Sequence, residues 1–174
     1  MAERSKQTTD ADLDSIRDAR VQARRAHSAQ GSLTEFPQDR IDRIVEAAAS
    51  AASQEALPFA RLAVDETGYG NEADKVQKNL FAAETIYQFI KPMRTVGVIR
   101  RLDSDRIVEI AEPFGVVAAI VPSTNPTSTA IYKILICLKA RCAVVISPHP
   151  TAVRSIRRVT EVMTTAAIAA GAPD

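Results

Sequence analysis

The sequence predicts an α/β fold, and three observations carry that prediction. The stretch from Glu112 to Pro150 holds two continuous apolar runs, Gly115 to Val121 and Ala143 to Ile146, joined by a polar loop and an amphipathic segment from Thr127 to Lys139. Continuous rather than alternating apolar strands imply a sheet covered on both faces, and a helix between two of them implies a parallel crossover. Upstream, four segments in succession carry apolar residues at helical spacing; after Pro92 the pattern switches to Val- and Ile-rich runs. The expected architecture is a partial Rossmann-like parallel sheet of one βαβ unit, preceded by a helical N-terminal section and a β-hairpin arm.

Met1 to Thr9 is polar throughout and predicts a disordered lead-in. Asp10 or Asp12 caps a first helix with Leu13, Ile16, Ala19, Ala23 and Ala26 on one face, ended by Gln30-Gly31-Ser32. Its cluster Arg17, Arg20, Arg24 and Arg25 reads as a solvated face, because acidic residues interleave it. Phe36-Pro37 opens a second helix, with Ile41, Ile44, Val45 and Ala48 inward. A third, beginning near Ser53, tolerates Pro58, buries Leu57, Leu62 and Val64 and stops at Gly68 as a left-handed cap. A fourth, Ala73 to Ile90, carries Val76, Leu80, Ala83, Tyr87 and Ile90 on one face and ends before Pro92. Thr95 to Leu102 and Arg106 to Ala111 then flank the turn-forming Asp103-Ser104-Asp105, which reads as a hairpin. An isolated hairpin is marginal in water and needs another surface, either a second subunit or its own domain. After His149, residues Val153, Ile156, Val159, Val162 and Met163 form a last helical face with Arg154, Arg157 and Arg158 opposite or flanking.

Composition narrows the function. The chain has 174 residues, 46% apolar and 25% charged, an ordinary composition for one packed domain. A net charge of +1 gives no case for nucleic acid or a membrane surface as partner. Cys137 and Cys142 fit a reducing compartment and are too few for a cysteine-rich zinc site, so no metal is expected. No apolar run approaches a membrane span, and MAERSKQTTD lacks the apolar core of a signal peptide, so the expected location is cytoplasmic.

Ligands of a doubly wound sheet bind outside the carboxyl ends of its strands, here the loops PSTNPTS and SPHP. The stretch EPFGVVAAIVPSTNPTSTAIYKILICLKARCAVVISPHP resembles the aldehyde dehydrogenase superfamily around its first cofactor-binding strand. Hydrolytic members carry a Glu-Pro-x-Gly-Val start, a Pro-Trp-Asn-x-Pro loop and a Lys-Pro-Ser-Glu end to the next strand. VPSTNPTSTA and SPHP are similar instead to the coenzyme A-acylating branch, which includes the aldehyde half of bifunctional aldehyde-alcohol dehydrogenases.

The resemblance implies that residues 10–174 are an incomplete N-terminal cofactor-binding domain, with 95–111 the hairpin arm of a homo-oligomer. It implies NAD or NADP as cofactor, coenzyme A as co-substrate and a small aldehyde as substrate. In the family a cysteine thiolate attacks the aldehyde, a hydride passes to the nicotinamide, and coenzyme A releases the thioester. The family's catalytic cysteine and glutamate come later in sequence than the part matched here. The rival expectation is a truncated, non-catalytic nucleotide-binding or subunit-association module.

Asn125 is the catalytic candidate, because a side-chain amide can donate to a developing oxyanion. It lies three residues after Pro122, whereas the hydrolytic pattern has its Asn two after the loop proline, and capping the helix before Pro126 is an equal reading. Ser123, Thr124, Ser147 and His149 are the cofactor-binding candidates. The first two end the first strand, ahead of the helix whose free amides attract phosphate. Ser147 stands where hydrolytic relatives carry a ribose-binding lysine, and His149 reads as a residue that shapes the pocket rather than a base. No G-x-G-x-x-G is present. Cys137 lies ten residues into the helix, ~15 Å from the ligand edge. Cys142 begins the second strand, ~16 Å from it. Both are expected to be buried apolar groups rather than nucleophiles.

Overall fold

Helix α1, Asp10–Thr34, starts where Thr9 Oγ1 accepts the Asp12 N–H at 3.3 Å while the Asp12 carboxylate takes the Thr9 N–H at 2.9 Å. This reciprocal capping box makes Thr9 the cap instead of Asp10 or Asp12. The computed structural model describes residues 9–104 and 106–174, so the disorder expected of Met1 to Thr9 lies outside the described residues except for Thr9 itself. Gly31 does not end α1. It sits in open space within the helix, which runs on to Thr34. Of α1 only Leu33 is buried, whereas Leu13 and Ile16 are 55% and 43% exposed, so the predicted inward face meets no protein along its first half.

Helix α2, Gln38–Gln54, follows Pro37 and buries Ile41, Ile44, Val45 and Ala48 as expected. Helix α3, Ala56–Thr67, accepts Pro58 within its first turn, where no intrahelical amide is missed, and ends at Gly68 with φ 69°. Its buried face is Ala56, Phe59, Ala60 and Ala63, while Leu57 is exposed and Leu62 and Val64 are half-buried. Three alanines let this helix approach its neighbours closely, with Phe59 as the one large side chain filling the interior.

The segment expected as a single helix is α4, Glu72–Leu80, a π-helical turn, Phe81–Thr85, and α5, Ile86–Ile90. Asn71 caps α4 by accepting the Asp74 N–H at 2.9 Å. Ala83 and Ile90 are buried and Tyr87 packs against the core as expected, while Val76 and Leu80 are half-buried and Lys75 and Asn79 are buried beside them, so the inward face is partly polar.

Strands β1, Gly97–Leu102, and β2, Ile107–Ala111, form the expected antiparallel hairpin, with a register shift between Val98 and Arg100. Strands β3, Val116–Val121, and β4, Ala143–Pro148, pair in parallel, Val116 with Ala143 through Val121 with Pro148. Between them runs α6, Pro126–Lys139. Coverage on both faces does not hold for β3 among the described residues: Ala119 and Val121 are buried, but Val116 and Ile120 are 38% and 75% exposed. The short 3-10 turn Pro150–Ala152 leads into α7, Val153–Ala169.

The core gathers Ile41, Ile44, Phe59, Ile131, Leu135, Ile156 and Met163, all fully buried, from α2, α3, α6 and α7. Truncating such a side chain to alanine costs about 2–5 kcal/mol. This helical mass seats α6, and α6 sets the loop that precedes it. No described helix is long and apolar enough to cross a membrane.

Candidate functional site

Beyond the last strand pair, His149 N–H donates to Val121 O at 3.0 Å. That bond carries the parallel pairing one step past the strands and lays SPHP beside PSTN. Ser123, Thr124 and Asn125 on the loop after β3, and Ser147 near the end of β4 with His149 just past it, are thus brought to one edge of the sheet. Ser147 and His149 are exposed, Thr124 is exposed, and Ser123 and Asn125 are half-buried.

The side chain of His149 has a local task. Its Nδ1 accepts the Thr151 N–H at 3.2 Å and lies 2.9 Å from Thr151 Oγ1, capping the 3-10 turn. With Nδ1 accepting from a backbone amide, Nε2 is the ring nitrogen left for a ligand.

Asn125 occupies the N-cap position of α6 with φ −135° and ψ 61°, yet its side chain makes no capping bond. Its Oδ1 accepts instead from Lys78 Nζ at 3.1 Å. The residue thus starts the helix without spending its side-chain amide on it. Pro126 follows at the first helical position, where its missing N–H is no loss. The uncapped amides of Thr127 and Ser128 remain at the start of α6.

Residues that the sequence did not single out shape this loop. Lys75, 4% exposed, donates to Thr124 O at 3.1 Å. Burial lowers the pKa of Lys75, and the neighbouring Lys78 lowers it further. Asn79, 0% exposed, accepts from Thr127 Oγ1 at 2.7 Å and donates to Ala56 O at 2.9 Å. Lys75, Lys78 and Asn79 fall at i, i+3 and i+4, one face of α4. Their signal in sequence is a polar set at helical spacing interleaved with the apolar one.

A groove of about 750 Å³ opens between α4, the π turn and α6, lined by Gln77, Lys78, Phe81, Asn125, Ser128 and Tyr132 among others. A π turn at a groove is a common mark of function, since it displaces side chains by one residue from the helical phase. An apolar cleft of about 510 Å³ lies elsewhere, between α1, β4 and α7.

The cysteines stand apart from the loops. Cys137 is buried on the far part of α6, and burial, with Cys142 adding, pushes its thiol up to about 11. Cys142 is buried just before β4 and accepts the Phe114 N–H at 3.3 Å through sulfur. Among the described residues no three His, Cys, Asp or Glu side chains gather as a metal site.

A family model described as "Aldehyde dehydrogenase family" matches residues 3–174. The bifunctional aldehyde-alcohol dehydrogenase AdhE of Escherichia coli (strain K12) is 47% identical over 149 residues, covering 86% of this chain and 17% of that protein. The succinate-semialdehyde dehydrogenase (acetylating) of Clostridium kluyveri is 34% identical over 150 residues, 86% of this chain and 33% of that protein. The crystal structure of an acetylating aldehyde dehydrogenase from Geobacillus thermoglucosidasius has a TM-score of 0.93 at 51% identity, covering 95% of this chain and 36% of that one. The chain therefore spans 17% to 36% of the length of these relatives. Because the match runs through the strand, loop, helix and strand that build the site, the chain belongs to the aldehyde dehydrogenase family.

Proposed function

We propose that this chain is the N-terminal, cofactor-binding portion, residues 10–174, of an NAD(P)-dependent coenzyme A-acylating aldehyde dehydrogenase. The reaction is aldehyde plus coenzyme A plus NAD(P)⁺ to acyl-coenzyme A plus NAD(P)H and a proton. The relatives named above as acetylating support the acylating branch, and the VPSTN loop supports the assignment of roles.

The observation that carries the reading is the state of Asn125. Its Oδ1 is taken by Lys78, and the residue lines the groove, so Nδ2–H₂ is the part of the amide free to donate. As a nucleophile adds to the aldehyde carbon, the carbonyl oxygen gains negative charge, and a fixed amide donor stabilises that charge more than the ground state. Ser123 and Thr124, with Ser147 and His149 across the edge, line the place for the nucleotide. The open amides at the start of α6 favour a phosphate there. These residues fit a nucleotide only in part, because one crossover supplies part of a dinucleotide site and no glycine fingerprint is present. When bound, NAD or NADP accepts the hydride and coenzyme A takes the acyl group.

On this reading neither Cys137 nor Cys142 is the nucleophile. Cys137 is held protonated by burial, and both cysteines are buried away from the loop. The location is cytoplasmic and the assembly a homo-oligomer, formed through the hairpin arm. Ile99, Ile107, Val108 and Ile110 are 40% to 58% exposed on that arm, which suits an association surface. The same exposure favours a second reading, a non-catalytic association module.

The test is product analysis on the complete natural polypeptide with acetaldehyde, NAD⁺ and coenzyme A. Acyl-coenzyme A formed in step with NADH, and no NADH without coenzyme A, is the expected result. Free acid formed without coenzyme A would contradict the acylating reading, and no turnover with any aldehyde would favour the association module.

A further inference from the structure

The cations beside the loop after β3 face carbonyl oxygens rather than carboxylates. Lys75 Nζ donates to the backbone carbonyl of Thr124 and Lys78 Nζ to the side-chain carbonyl of Asn125, each at 3.1 Å. One turn of α4 thus grips two consecutive residues of the loop, and Asn79 grips Thr127 just beyond. An asparagine at an N-cap ordinarily turns Oδ1 onto the amides two and three residues ahead, here Thr127 and Ser128. Asn125 does not. A hydrogen bond from a charged donor is roughly twice as strong as a neutral one, so the ammonium outcompetes the helix amides for that oxygen.

We propose that Lys78 is a positioning residue for Asn125. Its ammonium holds Oδ1, keeps the amide from collapsing onto the start of α6, and so presents Nδ2–H₂ to the oxygen of a bound carbonyl substrate. Lys75, buried, fixes the carbonyl of Thr124 and with it the peptide plane that enters Asn125. The ammonium charge beside Oδ1 also polarises the amide and makes Nδ2–H a stronger donor, as hydrogen bonds in a chain reinforce one another. This rests on the oxyanion reading of Asn125 given above and extends it to the residue that sets the amide's direction.

The test is a double-mutant cycle on the complete natural polypeptide, with Lys78→Met, Lys78→Arg, Asn125→Ala and Lys78→Met/Asn125→Ala. Removing one oxyanion donor outright costs about 10²–10³ in kcat. Loosening its support should cost less, about tenfold, with KM for aldehyde changed by less than about twofold. Lys78→Arg keeps the cation and should recover most of the rate. In the Asn125→Ala background Lys78→Met should add nothing, because Lys78 acts only through the amide.

An unchanged kcat in Lys78→Met, or the same loss with Asn125 absent, overturns the positioning role while leaving the oxyanion reading intact. Full kcat in Asn125→Ala sinks the oxyanion reading, and the positioning role with it. A crystal structure of Lys78→Met gives an outcome independent of turnover. Asn125 Oδ1 should swing to within hydrogen-bond distance of the Thr127 or Ser128 amide; Oδ1 staying clear of both would overturn the proposal.

Discussion

Replacing Asn79 by alanine is the most quantitative perturbation of this fold. Asn79 is fully buried and has two partners, the Ala56 carbonyl at 2.9 Å and the Thr127 hydroxyl at 2.7 Å. Its removal strands a buried hydroxyl in the first turn of α6 and takes the second hydrogen bond from the Ala56 carbonyl, which keeps the Ala60 amide within α3. A buried polar group left unsatisfied costs about 1–3 kcal/mol. One such group, together with the lost bond to Ala56, puts Asn79→Ala at about 2–4 kcal/mol. Thr127→Val removes one stranded group, so the double variant should be less destabilised than the sum of the singles by about 1–2 kcal/mol. Urea unfolding of the complete polypeptide, with the m-value checked for constancy, reads both numbers. A loss under about 1 kcal/mol for Asn79→Ala would refute the view that α4 is fastened to the loop through this residue.

Glu66 reaches from α3 to cap α7, accepting the Arg154 and Ser155 amides at 2.7 Å each and the Ser155 hydroxyl. Burial pushes the Glu66 carboxyl up, but the Ser155 and Arg154 hydrogen bonds outweigh it and the pKa falls below its usual 4.5. A depressed carboxylate stabilises the fold above its unfolded pKa and loses that contribution as pH falls through the folded one. Glu66→Gln should therefore cost about 1 kcal/mol at neutral pH and progressively less below the ordinary carboxylate range, as read by denaturation at several pH values. Arg141, buried with φ 58°, donates to the carbonyls of Thr34 and Ala111 at 2.7 Å each and so ties the end of α1 to the base of the hairpin. Arg141→Ala should cost about 2–4 kcal/mol, with amide exchange rising in 97–111; unchanged exchange there would contradict the tie. Native Cys137, with its thiol raised to about 11, should resist alkylation at neutral pH and react only on unfolding, as followed by mass spectrometry.

The strands and the hairpin were legible because Val- and Ile-rich runs bounded by Pro and Asp have few alternative readings. The loops at the sheet edge were legible for the same reason, since strand ends fix where they fall. On α4 Lys75 and Asn79 obey the helical period as faithfully as Val76 and Leu80, and sequence alone does not say which set faces in. The π turn inserts a residue into the period and shifts the face that follows it, which the sequence pattern does not show. On α3 the sequence predicts Leu57, Leu62 and Val64 inside, but the interior takes Phe59 and small alanines, leaving Leu57 exposed and the other two half-buried. Along α1 and on β3 the apolar residues Leu13, Ile16, Val116 and Ile120 stay exposed among the described residues, so periodicity there does not mark burial. Asn125 stands out in the sequence, but which partner takes its oxygen depends on the polar face of α4.

The measurement that bears most directly on the account is the kcat for coenzyme A-dependent NADH formation by Asn125→Ala in the complete natural polypeptide. A fall of about 10²–10³ at nearly unchanged KM for aldehyde is the expected outcome, the signature of a donor that acts in the transition state. An unchanged kcat, with the variant folded as judged by its denaturation midpoint, would contradict the role given to this loop.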